Sequence, residues 1–417
     1  MNQKSPLLIL LMIILFSCVM QAVTMQDVIQ MSLNNSYQLE NRKHLIESSK
    51  FHRKSLHTLF FPSVSVGYNF GFNAPQNRPL YFQNSVNLTG QVNLFRGMQD
   101  IYTYKKTHTA IQIEENALDS NKNDLVLSTK LAYIQILQNK ESLKIAKESI
   151  KLLEIQLQVT TQFYLHGIGD KSAVLSIEVN LANAKIELAR VQVALNYNLE
   201  ILHKLSGGNF SLDSLEDIEI VDDINFDKAE LLQDIYQKNP QFRELSLITQ
   251  QNLYDMKIAH AQYYPQIDLS GQKYWHFAES SNASIPIAQQ TRVQLQASWN
   301  FTNNYAAFYQ AQSKKANALA LNAQYSDLRK DIETEISNLL SSLSVAKQQL
   351  SLAKIALTQA EENYRIISNR YQENIVNYIE LLNAELLLTN ARSSLVNAHY
   401  EIATNIARIN HFHNQQF

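Results

Sequence analysis

The apolar positions between Ile332 and Ile367 recur at alternating intervals of four and three residues. This is the 3.5-residue period of a helix packed along one seam, and it differs from the 3.6 of an isolated helix. The positions are Ile332, Ile336, Leu339, Leu343, Ala346, Leu350, Ala353, Leu357, Ala360, Tyr364 and Ile367. Neither Gly nor Pro occurs between Asn304 and Tyr371, so the sequence predicts one uninterrupted helix. Roughly 65 helical residues span about 100 Å, which is longer than a compact domain needs.

Four shorter segments alternate apolar and polar residues, which is the period of a β-strand. We place these strands at 63–73, 85–95, 266–277 and 291–301. Lipid outside and water inside a membrane barrel favour this pattern, although a strand of a soluble sandwich also has one apolar face. Aromatic residues crowd the strand ends as an interfacial girdle does: Tyr68, Phe70, Phe72, Trp275, Trp299 and Phe301. Lys273 lies on the apolar face and would have to snorkel toward an interface.

The layout of the chain occurs twice: a helix, a Pro, two strands, a long helix, a turn and a last helix. Pro62 corresponds to Pro265 and Tyr164 to Tyr371, at an interval of 203 to 207 residues. The sequence therefore predicts an internal duplication. The predicted segments are a signal peptide at 1–22, a first repeat at 23–209, a connector at 210–226 and a second repeat at 227–417.

Four strands cannot close a membrane barrel, and an open edge in lipid would leave backbone groups unpaired. Other copies of the chain must complete it: two copies would supply eight strands and three would supply twelve. The long helix 99–165 matches the heptad helix, whereas the four other predicted helices are about half as long: 25–59, 172–205, 227–262 and 379–409. Two of these stacked end to end would span the same length as one long helix.

The N-terminus predicts a secretory signal, with Lys4, an apolar run and cleavage after Ala22. A second interpretation is that Cys18 is lipid-modified and becomes the new N-terminus. Leu15-Phe16-Ser17-Cys18 approximates the cleavage motif of lipoproteins, although Phe16 fits that motif poorly. Cys18 is the only cysteine, so the mature chain is expected to have no disulfide.

Charge and motif content exclude several functions. The net charge is -2, with 36 basic and 38 acidic residues and no basic block, so nucleic-acid binding has no electrostatic support. No nucleophile–base set or phosphate-binding loop occurs, and we expect neither an enzyme nor a cofactor. The eleven histidines show no metal-ligand spacing, and His411-x-His413 is interpreted as part of the tail.

The duplicated layout, together with Asn93-Leu94-Phe95-Arg96-Gly97 and the two turn motifs, resembles the outer-membrane efflux protein family of TolC-like channel-tunnels. The turn motifs are Tyr164-x-x-Gly167 with Glu178-x-x-Leu181-x-Asn183-Ala184, and Tyr371-x-x-Asn374 with Glu380-Leu381-Leu382-Asn383-Ala384-Glu385. The resemblance implies a mainly α chain with a small transmembrane β part. Three copies would form a twelve-stranded barrel and a long periplasmic α-helical barrel.

The resemblance also implies partners and sites. The expected partners are a homotrimer, outer-membrane lipid, a periplasmic adaptor protein and an inner-membrane transporter of the RND, ABC or MFS type. The docking turns would contain Tyr164, Gly167, Gly169, Asp170, Tyr371, Asn374 and Asn377. Glu380 is the candidate for the pore constriction, with a solvated helix-end carboxylate as the alternative. The chain departs from the family where Asn374 replaces the usual Gly and where Ala173 stands at an acidic position.

Two classes of function follow. The first is a passive export duct for small molecules or proteins, in a tripartite efflux pump or a type I secretion system. The second is a structural periplasmic coiled-coil protein without a channel.

Overall fold

The computed structural model describes residues 23–73, 81–218, 224–280, 283–284 and 288–413. The predicted signal peptide and Cys18 lie outside the described residues. The helices are α1 (Met25–Asn35), α2 (Tyr37–Ser55), α3 (Gln99–Leu165), α4 (Lys171–Ser206), α5 (Lys228–Lys238), α6 (Pro240–Ala261), α7 (Phe301–Gln372) and α8 (Tyr378–Phe412). The strands are β1 (Ser63–Asn73), β2 (Tyr81–Arg96), β3 (Gln266–Ser280), β4 (Ala283–Ser284) and β5 (Ala288–Ser298).

The chain packs as two compact units. The helical unit contains the described residues within Met1–Leu39, Asn121–Asn239 and Asp331–Phe417. The sheet unit contains those within Glu40–Ser120 and Pro240–Lys330.

The sheet unit is built on one antiparallel sheet with the principal order β1-β2-β3-β5, in which the two-residue β4 also pairs with β3. The two predicted hairpins therefore join through β2 and β3. Polar side chains on one face bond across strands, as between Asn93 Nδ2 and Asp268 Oδ1 at 2.8 Å. Large apolar side chains are exposed on the sheet, namely Val64, Val66, Tyr68, Phe70, Phe72, Val293 and Leu295.

Three of the four predicted strands differ in their bounds. β3 continues to Ser280, where an end at 277 was predicted, and β5 begins at Ala288, where 291 was predicted. β2 begins at Tyr81 and ends at Arg96, where 85–95 was predicted, and a bulge at Asn93/Phe95 shifts its register. The last strand was predicted at 291–301 but ends at Ser298, and Phe301 begins α7. The reason is local, because Asn300 Oδ1 accepts hydrogen bonds from the backbone N–H of Thr302 and Asn303 at 3.1 and 3.4 Å and caps the helix.

The helices predicted at 25–59 and 227–262 are each broken after eleven residues, at Ser36 and Asn239. Ser36 is extended and its Oγ accepts from Leu39 N at 3.3 Å, which starts the next helix. Asn239 is extended because Pro240 disfavours helical backbone at the preceding residue. The two breaks lie 203 residues apart, which is the interval of the predicted duplication.

Each eleven-residue helix lies beside the end of a longer one in the helical unit. Asn35 Nδ2 donates to the carbonyl oxygen of Ser206 at 2.7 Å, and Asn239 Nδ2 donates to that of Phe412 at 3.4 Å. An asparagine amide therefore satisfies a free carbonyl at the C-terminus of both α4 and α8.

The core of the helical unit follows the heptad pattern of α7. Eight of its predicted seam positions, from Ile332 to Ala360, are buried, and Leu357, Tyr364 and Ile367 are half-buried. A second cluster surrounds Tyr133, whose hydroxyl lies 2.9 and 2.6 Å from the carbonyl oxygens of Val23 and Glu216. Burial raises the pKa of Tyr133 to about 12, so this hydroxyl keeps its proton near neutral pH.

Among the helices of the described ranges, none combines the length and the apolar character that crossing a membrane requires.

Candidate functional site

The turn between α3 and α4 ends its helix in a Schellman motif. Ile168 N donates to Phe163 O at 2.9 Å, and Gly167 N donates to Tyr164 O at 3.0 Å. Gly167 has a φ of 73°, the left-handed conformation that this motif requires at its first residue past the helix. Gly169 lies close to Phe163. A Cβ built on Gly169 would be 3.1 Å from the Cβ of Phe163, so a larger residue would crowd the turn.

The turn between α7 and α8 has the same geometry. Ile375 N donates to Arg370 O at 2.8 Å, and Asn374 N donates to Tyr371 O at 2.9 Å. Asn374 has a φ of 57° and takes the position of Gly167. Asn is the residue after Gly that tolerates this conformation best, so the departure from the family pattern leaves the turn unchanged.

Both turns lead into a capped helix. Asp170 Oδ1 accepts from Ser172 N at 3.1 Å, and Asn377 Oδ1 accepts from Glu380 N at 3.0 Å. The hydrogen bonds to Ser172 lower the pKa of Asp170 below its ordinary value. The start of both helices is therefore fixed by a side chain as well as by packing.

The residues under the turns form a small buried cluster. Thr160 Oγ1 lies 2.6 Å from Tyr371 Oη, and the rings of Phe163 and Tyr371 lie 5.7 Å apart. Tyr371 is 5 % exposed, whereas its counterpart Tyr164 is 41 % exposed, so only one of the two predicted tyrosines belongs to this cluster. Large apolar side chains are exposed at the turns, namely Leu165, Ile168, Ile375 and Ile379.

Glu380 is exposed in the first turn of α8, where a carboxylate suits the positive end of the helix. The equivalent residue of the first repeat, Ala173, is buried. The described geometry fits a helix-end carboxylate, and the pore-lining role stays a prediction.

A buried carboxylate was not predicted at Glu385. It is 2 % exposed and accepts a hydrogen bond from Ser149 Oγ at 2.8 Å. The motif match pairs Glu385 with Glu178, so the sequence singled out both positions. It did not predict that Glu385 is buried, because the matching Glu178 is exposed.

Among the long helices of the helical unit, contacts join α4 to α3, α3 to α8 and α8 to α7. Leu153 of α3 packs on Ile177 of α4, and Arg392 of α8 pairs with Glu148 of α3 at 2.8 Å and with Glu361 of α7 at 3.8 Å. The two outer helices keep exposed apolar residues at heptad spacings. On α4 these are Leu175, Val179, Ile186, Val193 and Tyr197, and on α7 they are Val345, Leu352 and Ile355.

The histidines near the C-terminus pair with carboxylates. His411 Nε2 lies 2.9 Å from Asp124 Oδ1, and His413 contacts Asp234. Within the described part of the chain, no group of three or more His, Cys, Asp or Glu residues could hold a metal ion.

A small antiparallel sheet with apolar residues on its surface, joined to long helices, fits one subunit of a membrane-anchored helical channel. A family model, the outer membrane efflux protein, matches residues 28–208 and 231–412. The chain belongs to this family. It is an outer-membrane protein whose helical part lies in the periplasm, and the two matched segments lie within the two predicted repeats.

Similar proteins with assigned names are outer membrane proteins of efflux pumps. The chain is 21 % identical over 397 residues to the toluene efflux pump outer membrane protein TtgC of Pseudomonas putida, covering 89 % of this chain and 79 % of the relative. The antibiotic efflux pump outer membrane protein ArpC of Pseudomonas putida matches with the same identity and coverage.

Solved structures show the same fold. The outer-membrane channel OprN matches with a TM-score of 0.81 and 18 % identity, covering 94 % of this chain and 90 % of that one. The CmeC outer membrane channel of Campylobacter jejuni matches with a TM-score of 0.81 and 14 % identity, covering 94 % and 86 %. VceC of Vibrio cholerae matches with a TM-score of 0.78 and 15 % identity, covering 94 % and 96 %.

Proposed function

We propose that this protein is the outer-membrane duct of a tripartite efflux pump and that it works as a homotrimer. The observation that carries the proposal concerns the outer elements of the described residues. The outer strands β1 and β5 each leave one edge without a backbone partner, and the outer helices α4 and α7 each carry exposed apolar residues. A duct closed by identical copies accounts for all four outer elements at once.

The sheet supports closure by other copies. Among the described strands, β1 pairs only with β2, and β5 pairs only with β3. In lipid these outer edges would leave backbone N–H and C=O groups unpaired at several kcal/mol each. Eight strands from two copies enclose an interior that side chains fill, whereas twelve strands from three copies leave room for a duct.

The helical layer supports the same assembly. Its outer helices α4 and α7 carry different apolar stripes, so contact between them joins unlike surfaces of two copies. Repeated unlike contacts close into a ring when the rotation between copies allows it. Ring closure would place every apolar stripe in a seam.

The two helical turns are the proposed docking site of a periplasmic adaptor, which would connect the duct to an inner-membrane transporter. Ile168 and Ile375 support this role, because each is exposed at a turn that two backbone hydrogen bonds and a cap hold rigid. Such a surface offers apolar contact without a cost for ordering the loop.

The trimer is tested by native mass spectrometry of the full chain purified from membranes. We expect three copies in one complex, recovered from the outer-membrane fraction. Recovery as a soluble periplasmic protein would favour the structural coiled-coil alternative, and two copies would overturn the twelve-stranded barrel. Deletion of the gene should lower resistance to exported toxic compounds.

The docking turns are tested by photo-crosslinking from Ile168 in whole cells, with an Ile168→Glu variant measured in parallel through a probe at the exposed Lys171. We expect a crosslink to a periplasmic adaptor, which Ile168→Glu weakens at least about fivefold. Ile155→Glu, an exposed apolar position on the side of α3, is the matched control. Equal crosslinking by both variants would show that the turns do not dock an adaptor.

A further inference from the structure

Four segments of the sheet unit that flank the strands have an unusual charge balance. Residues 50–62, 96–112, 250–265 and 299–316 contain nine Lys and Arg residues and two carboxylates. Their net charge is therefore +7 in a chain whose net charge is -2. Because the basic residues are spread over four segments, they form no basic block in the sequence.

Both carboxylates already have basic partners. Asp100 Oδ1 lies 3.9 Å from Arg96. Asp255 lies 2.7 Å from Lys106 Nζ and 3.7 Å from Lys314 Nζ. A third carboxylate, that of Glu115 just outside the four segments, lies 3.6 Å from Lys50 Nζ. These three acids leave Lys54, Lys105 and Lys257 without a carboxylate partner among the described residues.

Three lysines of these segments, Lys54, Lys105 and Lys257, are exposed, and none has a carboxylate within 4.0 Å among the described residues. Their ammonium groups instead lie over aromatic rings. Lys54 Nζ is 5.4 Å from the ring of Phe51, and Lys105 and Lys257 are 6.0 and 5.1 Å from the ring of Tyr102. We call these three lysines the basic belt.

The basic belt lies close to the ends of the strands. Lys105 is six residues into α3 and Lys257 four residues before the end of α6, so both are within about 10 Å of the helix ends at 1.5 Å per residue. Lys54 is followed by the last residue of α2 and one short 3₁₀ helix before β1. Aromatic residues mark the bases of the strands, as at a membrane interface: Phe60, Phe61, Phe95, Tyr264, Trp299 and Phe301.

Each belt lysine shares its helix face with an exposed large apolar residue. Phe51 precedes Lys54 by three residues, Ile101 precedes Lys105 by four, and Leu253 precedes Lys257 by four. Residues three and four apart are neighbours on a helix surface. A face that combines exposed apolar residues with cations suits the boundary of a lipid layer better than a water-filled duct.

We propose that the basic belt binds the headgroups of anionic phospholipids in the membrane leaflet that faces the periplasm. The inference goes beyond the export function and rests on the outer-membrane placement of the sheet. Lysines within a Debye length of an anionic surface attract its phosphates, and zwitterionic headgroups offer no net charge for this attraction. The aromatic rings hold the ammonium groups at the headgroup level.

The test uses the full chain in nanodiscs that contain phosphatidylcholine and phosphatidylglycerol, with native mass spectrometry of the retained lipids. We expect wild-type protein to retain phosphatidylglycerol preferentially. A surface lysine contributes roughly a fivefold preference, so the triple variant K54Q/K105Q/K257Q should lose this preference by at least about tenfold. Added salt should weaken the wild-type preference in the same way.

The matched control is K147Q/K151Q/K204Q, which removes three exposed lysines of the helical unit. The control should keep the wild-type lipid preference. A triple belt variant with wild-type preference, or a control that loses as much, would overturn the inference. The same spectra report the number of copies, so failure to assemble is distinguished from loss of lipid.

Discussion

At the residue scale, the two repeats place equivalent glutamates in different surroundings. Glu178 is exposed, whereas Glu385 is buried in a cleft that Glu187 and Arg190 of α4 also line. Burial raises the pKa of Glu385 above its ordinary 4.5, and the hydrogen bond from Ser149 offsets part of this effect. The sequence match identified Glu178 and Glu385 as equivalent residues. Their different exposure results from the packing of α3, α4 and α8 around Glu385.

The substitution Glu385→Gln is expected to stabilise the protein at neutral pH. Below the pKa of an unfolded glutamate both states are protonated, and the buried site carries no penalty. As the pH rises toward the raised folded pKa, only the folded state resists ionisation, so stability is lost. The amide keeps an acceptor for Ser149, and we expect a gain on the order of 1 kcal/mol that vanishes near about pH 4.

Thermal unfolding of Glu385→Gln as a function of pH provides the measurement. Glu178→Gln is the control and should leave the unfolding temperature unchanged at every pH. A gain for Glu385→Gln that does not depend on pH would contradict the ionisation argument.

A second prediction at the residue scale concerns Asn374. Its left-handed backbone conformation is strained for a residue with a Cβ. Asn374→Ala should destabilise the turn by about 1 kcal/mol, since Ala has no side-chain amide to favour this conformation. Asn374→Gly should leave it unchanged or more stable. Hydrogen exchange of the amide of Ile375, which closes the motif, measures the opening of the turn. Equal exchange in the Ala and Gly variants would show that the conformation is not limiting.

At the element scale, periodicity predicted most of the helices and strands but not their interruptions. The 3.5-residue period of α7 and the alternation in β1 were sufficient because each repeats over many residues. The breaks at Ser36 and Asn239 were missed, since the apolar positions continue in a helical pattern on both sides. Pro240 was a usable signal for the second break. Ser36 gave a weaker one, because a serine caps a helix only where tertiary packing permits the break.

The prediction at the element scale concerns Gly97, at the junction of β2 and α3. It has a φ of 60°, and a Cβ there would collide with the backbone carbonyl of Ala261 at the end of α6. Gly97→Ala should therefore cost at least about 2 kcal/mol and reduce the yield of assembled protein. Gly271→Ala is the matched control, because a Cβ at that position has no atom within 4 Å.

Unfolding temperature and recovery from the outer membrane check this pair of variants. Because alanine restricts the unfolded chain more than glycine does, Gly271→Ala should be neutral or slightly stabilising. A Gly97→Ala protein that matches wild type in both measurements would show that the junction can shift to accommodate a side chain.

At the scale of the whole molecule, the sequence predicted the duplication and the turns but not the surfaces that depend on packing. Gly167, Asn374 and the caps could be predicted because turn chemistry is local. The basic belt could not, because its lysines come from three helices that lie far apart in the sequence. The apolar stripes of α4 and α7 were hidden for the same reason, since core and seam positions both appear as heptads until burial separates them.

The stripe on α4 provides the last prediction, because an assembled ring would bury it. Val193 is 69 % exposed in the protomer, and burying such a side chain contributes roughly 1.5–3 kcal/mol. Val193→Glu removes this contribution and adds a carboxylate to every seam, where an unpaired charge is strongly unfavourable. The trimer should dissociate at a protein concentration at least about tenfold higher than for wild type, while the helix content of the protomer is unchanged.

Gln192→Glu, which adds the same charge beside the stripe, should leave the trimer intact. Equal dissociation of both variants would assign the effect to net charge and remove α4 from the seam.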